Sequence, residues 1–257
     1  MEEPITFSED GAHKPVFSLD ELRTRCANCN LRELCLPVGL SGEDMDRLDR
    51  VIRKRQRVAK GELLYRQDDP FLRLFAVRVG HFKTYQVTHD GEQQITGFQM
   101  PGEILGLDAI SSGKHQCDAK ALEDSEVCEI QYSELEALFV QIPALLRQFH
   151  RLMSQEITRD QSVMLLLGNM ASEQRFSAFL VNLSSRYAAR GYASTSLQLR
   201  MGREEIGNYL GLTIESISRL IAKFKKAGLL EVSNREVRIL DMPRLREIAS
   251  GSRSFDK

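Results

Sequence analysis

Ala144 to Leu167 is a run of 24 residues without a glycine or a proline, so the whole stretch can stay helical. Within it Leu146, His150, Met153, Ile157, Asp160, Met164 and Leu167 recur at alternating spacings of four and three. That is the seam of a helix packed lengthwise on a partner helix. Leu145, Phe149 and Leu152 form a second stripe, suited to binding the helix to its own domain. One broad core-facing helix in a monomer would also bury such stripes; two of them on one long helix favour a homodimer. Gly168-Asn169 is expected to end the helix.

The residues before this helix have the texture of strands. After a short helix led by Ser41-Gly42-Glu43-Asp44 and carrying Met45, Leu48 and Ile52, the pattern changes at about residue 56. Phe75, Val77 and Val79 alternate with Ala76, Arg78 and Gly80, and His89-Asp90-Gly91 marks a turn between extended runs. Short strands at this spacing predict a sandwich or barrel of jelly-roll kind. Glu126 to Ile130 is its last strand and places Cys128 on the sheet. A second short helix is expected over 132–140.

The residues after it read differently. Ser172 to Arg190 is an amphipathic helix with Phe176, Phe179, Leu180 and Leu183 inward, followed by a strand near 196–199. Arg203 to Ile221 then has the layout of a helix-turn-helix. Gly207 lets two helices cross closely, Gly211 suits the left-handed end of the first, and Thr213 can cap the second. Glu215, Ser218 and Arg219 share its outer face near the N-terminal end, where a reading helix enters a major groove. Arg219 can fork onto guanine, Glu215 can accept from cytosine, and Ser218 can meet either kind of partner. Lys223, Lys225 and Lys226 suit phosphates, and 229–240 reads as a hairpin wing. Residues 171–257 carry a net charge of +6, against −7 for 1–170, so the C-terminal third suits double-stranded DNA. An ordinary helical hairpin with a solvated charged face would lack the glycine placement and the wing.

Three of the five cysteines, Cys26, Cys29 and Cys35, fall within ten residues, and a fourth thiol must come from Cys117 or Cys128. No apolar run reaches the ~18 residues of a membrane span, and the N-terminus does not read as a signal peptide. A cytoplasmic location follows, where thiols stay reduced and clustered cysteines bind metal more often than they form disulfides. Four thiolates suit a structural zinc or an iron–sulfur cluster. Zinc tends to take two short Cys-x-x-Cys units, and only one is present. Asn28 and Asn30 can donate to sulfur, while Leu31, Leu34 and Leu36 can limit solvent access.

Taken together, the chain resembles the FNR-type, oxygen-sensing branch of the CRP/FNR family of bacterial transcription regulators. The resemblance is carried by Glu-Ile-Gly-Asn-Tyr-Leu-Gly-Leu-Thr at 205–213, Glu215 with Ser218-Arg219, Gln94 to Phe98, Ala121-Leu122-Glu123, Val127-Cys128-Glu129-Ile130 and the spaced cysteines. It implies an α+β chain with an N-terminal jelly-roll sensor domain, a long dimerisation helix and a C-terminal winged helix-turn-helix. It also implies a [4Fe-4S] cluster on Cys26, Cys29, Cys35 and Cys128, leaving Cys117 aside. The cluster would promote dimerisation and binding to a TTGAT…ATCAA-like palindrome. Genes of anaerobic metabolism would be controlled through RNA polymerase, with the Thr88–Glu92 turn as candidate contact.

On this reading residues 1–25 are a loosely held lead, 26–143 the cysteine loop and sensor, 144–168 the dimer helix and 169–250 the reading domain. Gly202 stands where relatives carry a Ser or Thr cap, at a cost of only a few tenths of a kcal/mol. Near Gly113–Asp118 no Arg-Ser or Arg-Thr pair is present to hold a cyclic nucleotide phosphate, although Gly102-Glu103 remains; cAMP is rejected as effector. Asp160 would place like charges together in a dimer seam and hold the protein near the monomer–dimer threshold, while His150 is taken as packed. An enzyme is not expected: there is no phosphate-binding loop, no His-Glu-x-x-His and no Gly-x-Ser-x-Gly. A zinc-stabilised or redox-thiol regulator with the same reading head is the alternative.

Overall fold

The computed structural model describes residues 26–252 and Phe255, with the side chains of Arg53 and Asn169 left aside. The lead expected over 1–25 lies outside the described residues. A first helix α1 (Gly42–Val51) opens where Ser41 accepts from the Asp44 amide at 3.2 Å, and Glu43 and Asp44 sit in its first turn. Both choices satisfy or complement the free amides at a helix start. The helix ends one residue short of the expected Ile52. That residue instead pairs with Ile130 and opens strand β1 (Ile52–Val58), so the strands begin before residue 56.

The sensor is a sandwich of two four-stranded antiparallel sheets. With β2 (Leu63–Tyr65), β3 (Arg73–Val79), β4 (Phe82–Val87), β5 (Gln93–Gln99), β6 (Ile104–Leu105), β7 (Asp118–Ala121) and β8 (Ser125–Gln131), their orders are β1-β8-β3-β6 and β2-β7-β4-β5. Phe75, Val77, Phe82, Leu105, Ala121 and Val127 fill the space between the sheets. Leu74, Ala76 and Ile130 face the opposite way and pack under α1, α2 (Tyr132–Gln141) and α3 (Pro143–Asn169). The first sheet is therefore covered on both faces. This explains why β3 holds four consecutive buried residues, Leu74 to Val77, rather than an alternation of apolar and polar.

Pro143 sits at the start of α3, the helix position that tolerates a missing amide hydrogen. Leu145 and Phe149 are buried in the sensor core and Leu152 packs beside them, as the second stripe requires. The helix passes Gly168 and ends at Asn169, within the expected break, and Met170, with extended backbone, leads into the cap of the next helix. A lone glycine costs a helix about 1 kcal/mol, too little to stop one already fixed along its length.

The C-terminal part comprises α4 (Ser172–Ala189), β9 (Ser196–Gln198), α5 (Arg203–Leu210), α6 (Ile214–Lys226), β10 (Leu230–Ser233), β11 (Glu236–Ile239) and α7 (Met242–Ser250). The last strands form a three-stranded antiparallel sheet, β10-β11-β9, whose hairpin turns at Asn234. Phe176, Leu180, Ile217 and Phe224 make its core. That core continues into Tyr85, Ile95, Phe98 and Met100 on the outer face of the second sheet. The ring of Phe98 lies 5.0 Å from that of Tyr209, centroid to centroid.

Candidate cysteine centre and nucleic-acid interface

The segment 26–35 advances by tight turns: Cys29 N donates to Cys26 O at 3.1 Å, Arg32 N to Cys29 O at 3.2 Å and Cys35 N to Leu31 O at 3.1 Å. Its ends are tied down. Cys26 N donates to Asp49 Oδ1 of α1 at 2.8 Å, Leu36 is 1% exposed, and Gln148 Nε2 of α3 donates to Cys35 O at 3.1 Å. Cys26, Cys29, Cys35 and Cys128 line one small pocket, about 40 Å³, that opens to solvent, walled by Leu31, Leu36, Leu48, Ile52, Ala76 and Ile130. Among the described residues no group of three or more His, Cys, Asp or Glu side chains is arranged to hold a metal ion. What the fold brings together is looser: four thiols on the wall of one apolar pocket.

Burial pushes the Cys35 thiol up to about 12, with Cys128 and Cys29 adding to the effect. Burial also raises Cys26, reinforced by the Asp49 carboxylate. Cys128 is raised by burial too, but the guanidinium groups of Arg55 and Arg78 oppose it. Arg55 is the cross-strand partner of Cys128, and Arg78 lines the pocket. Sequence reasoning missed both arginines and Asp49, because only the sheet register and the seat of α1 bring them to the thiols. Asn28 and Asn30 are exposed and lie outside the pocket wall, whereas Leu31 and Leu36 line it. Leu34 packs instead on Gly102. Cys117 lies apart, buried, with its thiol 3.6 Å from Asp108 Oδ2.

The reading head is built by local rules. Gly202 N donates to Glu205 Oε2 at 2.8 Å, so the side chain of Glu205 supplies the reciprocal bond at the start of α5. Gly211 takes φ +63° and ends it, and Thr213 Oγ1 accepts from Ser216 N at 3.2 Å to start α6. A Cβ on Gly207 would stand 2.7 Å from the carbonyl oxygen of Leu212, so the helices cross where only glycine fits. Glu215, Arg219 and Lys225 are exposed on one side of α6, and Ser218 is half-buried, donating to Ile214 O at 2.9 Å. The free backbone amides at the start of α6 and the Thr213 hydroxyl hold the Glu215 carboxyl below its ordinary value. Lys223 is placed otherwise. Its Nζ is 2.9 Å from Glu173 Oε1 and lies over the Phe255 ring at 4.4 Å, inside its own domain.

On α3, Leu146 and Met153 are half-buried, whereas His150, Ile157, Asp160, Met164 and Leu167 are exposed in the single chain. Ile157 and Met164 are 54% and 70% exposed, large values for apolar side chains on a helix. Burial raises the Asp160 carboxyl above its ordinary value, against the opposing charge of Arg159.

Two family models match, the cyclic nucleotide-binding domain over residues 55–141 and the Crp-like helix-turn-helix domain over 174–248. The transcriptional regulatory protein btr of Bordetella pertussis is 46% identical over 96% of this chain and 98% of its own length. The chain belongs to the CRP/FNR family of transcription regulators. Other relatives in the family include the transcriptional activator protein anr of Pseudomonas aeruginosa, 46% identical over 89% of this chain and 94% of that protein. The fumarate and nitrate reduction regulatory protein of Escherichia coli is 42% identical over 89% and 92%. The solved structure of FixK2 from Bradyrhizobium japonicum superposes with a TM-score of 0.70 at 28% identity, over 76% of this chain and 96% of that one. As a CRP/FNR member the chain is a DNA-binding transcription regulator with the expected order of jelly-roll sensor, long helix and winged helix-turn-helix. No helix among the described residues is long and apolar enough to cross a membrane.

Proposed function

We propose that this regulator senses oxygen through a [4Fe-4S] cluster held by Cys26, Cys29, Cys35 and Cys128, and controls genes of anaerobic metabolism. The observation that carries the reading is the shared pocket: four thiols from a loop and a strand 93 positions beyond it meet on one apolar-walled space that opens to solvent. The donor chemistry fits, since thiolates are the usual ligands of such clusters, and burial tunes their reactivity. Bound there, the group would supply oxygen-labile iron chemistry. The cysteine loop that would hold it is tied to α1 through Asp49 and to α3 through Gln148. The names of the relatives, which include an anaerobic regulatory protein and a fumarate and nitrate reduction regulatory protein, support the same reading.

The seam Leu146, His150, Met153, Ile157, Asp160, Met164 and Leu167, exposed over most of its length, is the proposed dimer interface. Two copies then present Glu215, Ser218 and Arg219 to half-sites one helical turn apart on a TTGAT…ATCAA-like palindrome, with Thr213 and Lys225 near the phosphates. Lys223 is the exception in that set, being engaged with Glu173. RNA polymerase would be met at the exposed turn Thr88–Glu92, closed by Thr88 N donating to Glu92 O at 2.8 Å. A cyclic nucleotide has no place in the proposal. The pocket between the second sheet and α3 is faced by Asp108, Glu156 and Asp160, and its described lining has no lysine or arginine to meet a phosphate. Purification without air tests the reading: a brown protein with iron, sulfide and broad absorbance near 400 nm that bleaches in air is expected. A colourless protein carrying zinc or no metal would end it.

A further inference from the structure

Glu103 is a carboxylate that joins the three parts of the molecule. Its Oε2 accepts from Arg186 Nη2 at 2.7 Å and from Met100 N at 2.9 Å. Its Oε1 accepts from Arg186 Nε at 3.1 Å and Arg190 Nη2 at 2.7 Å, and Arg159 Nη2 stands 3.5 Å away. The same arginines grip the turn that carries it, Arg186 at Phe98 O and Arg190 at Pro101 O. Arg159 belongs to α3, the proposed dimer helix, Arg186 to α4, the first helix of the reading domain, and Arg190 caps the C-terminal end of α4. All four side chains are at most 17% exposed. One residue from the sensor thus fixes both of the other parts.

The neighbouring residue faces the thiols. Gly102 packs so closely on the cysteine loop that a Cβ would stand 2.9 Å from Leu34 Cβ, and its φ of +91° suits only glycine. Gly102 N donates to Val77 O at 2.8 Å, Val77 N donates to Glu103 O at 2.9 Å, and both Gly102 and Val77 line the thiol pocket. The peptide between 102 and 103 therefore has the cysteine loop on one side and three guanidinium groups on the other. Glu103 does not face the pocket beside Asp108 and Asp160; it lines the groove between α3 and α4.

We propose that Glu103 is the positioning residue through which the cysteine loop sets the placement of the reading head, an inference that rests on the iron–sulfur reading of that loop. With the loop ordered, Leu34 holds Gly102 and the turn, and the carboxylate keeps Arg186 of α4 and Arg190 at its cap against the sensor. With the loop released, the turn loses its brace. If the carboxylate then withdraws, Arg159, Arg186 and Arg190 are left as close like charges, which favours separation of α4 from the sensor. The docked and released placements are the two states that loop order biases.

The test compares iron-loaded and iron-free full-length protein for affinity to one duplex bearing TTGAT and ATCAA half-sites. The wild type should show at least a tenfold ratio between the two forms. Glu103→Gln should bring the ratio within about twofold while iron content, sulfide content and visible absorbance stay at wild-type levels. Glu103→Asp, with a shorter reach to the same arginines, should restore part of it. Arg190→Lys loosens the link from the head side, away from the thiols, and should reduce the ratio in the same way. Iron-loaded Glu103→Gln and Arg190→Lys proteins that both keep the tenfold ratio would overturn the proposal alone. A wild type that takes up no iron removes the reading beneath it, and the proposal falls with that reading.

Discussion

Replacing Gly207 with alanine puts one methyl group where the two helices of the reading head cross. The new Cβ would stand 2.7 Å from Leu212 O and 3.4 Å from the carbonyl group of Thr213. Neither atom can step aside cheaply. Leu212 N is bonded to Gly207 O at 2.8 Å, and Thr213 caps α6. Ordinary contact requires the helices to part by several tenths of an ångström, and overpacking of this kind costs about 1–3 kcal/mol. Alanine's better helix propensity returns up to ~1 kcal/mol. The balance is a loss of about 1–2 kcal/mol. With a urea slope of ~2 kcal/mol per molar, the midpoint should fall by roughly 0.5–1 M. Gly168→Ala provides the contrast: it adds the same methyl on α3 with no neighbouring atom within 4 Å, so only the propensity gain remains and the midpoint should hold or rise. Unfolding followed by far-UV circular dichroism at one fixed protein concentration reads both, and DNA affinity should fall only for Gly207→Ala. Equal midpoints for the two variants, or a rise for Gly207→Ala, would refute the crossing argument.

Other perturbations separate the remaining parts. Cys128→Ala should abolish iron binding while Cys117→Ala, across the β sandwich, leaves it intact; iron analysis of anaerobic preparations decides. Arg219→Ala should cost ~1–3 kcal/mol of DNA affinity and relax one base position, whereas Lys225→Ala should mainly flatten the salt dependence of binding. Asp160→Ala should give a dimer that binds DNA in air, and a monomer by sedimentation would count against the like-charge argument. Glu103 predicts an acid transition. The three guanidinium groups, against the opposing effect of burial, hold its carboxyl at about 2 where an unperturbed one lies at 4.5. A depressed value means stability that is fully present above pH 4.5 and lost as pH falls toward 2, amounting to about 3 kcal/mol. Acid unfolding of Glu103→Gln should lack that component.

The reading head was the most legible part of the sequence, because its determinants are local. Gly207, Gly211 and Thr213 lie within seven positions, and each acts on its immediate neighbours. The helix α3 was legible in its length, its stripes and its end at Gly168-Asn169. Ile52 was misplaced: it follows Leu48 at helical spacing, and only its pairing with Ile130 makes it a strand residue. The candidate cysteine site was half legible. Cys26, Cys29 and Cys35 announce themselves by proximity, whereas Cys128 entered through family resemblance. Its companions Arg55 and Arg78 depend on register. The Glu103 cluster had no local signature at all. Its partners Arg186 and Arg190 stand 83 and 87 positions away, and on an amphipathic helix they read as ordinary solvated charges.

The apolar core that runs from Phe176 and Phe224 into Tyr85, Phe98 and Met100 has a consequence for how such a chain can evolve. The DNA-reading part is not a bead on a string that can be exchanged for another by recombination. A transplanted head would have to bring its own match for the aromatic face of Phe98, for the Lys83 ammonium on β4 and for the Ile95 amide on β5. Change of DNA target is therefore expected to proceed by point substitution on the exposed side of α6, while the side that meets the sensor stays tied to its history.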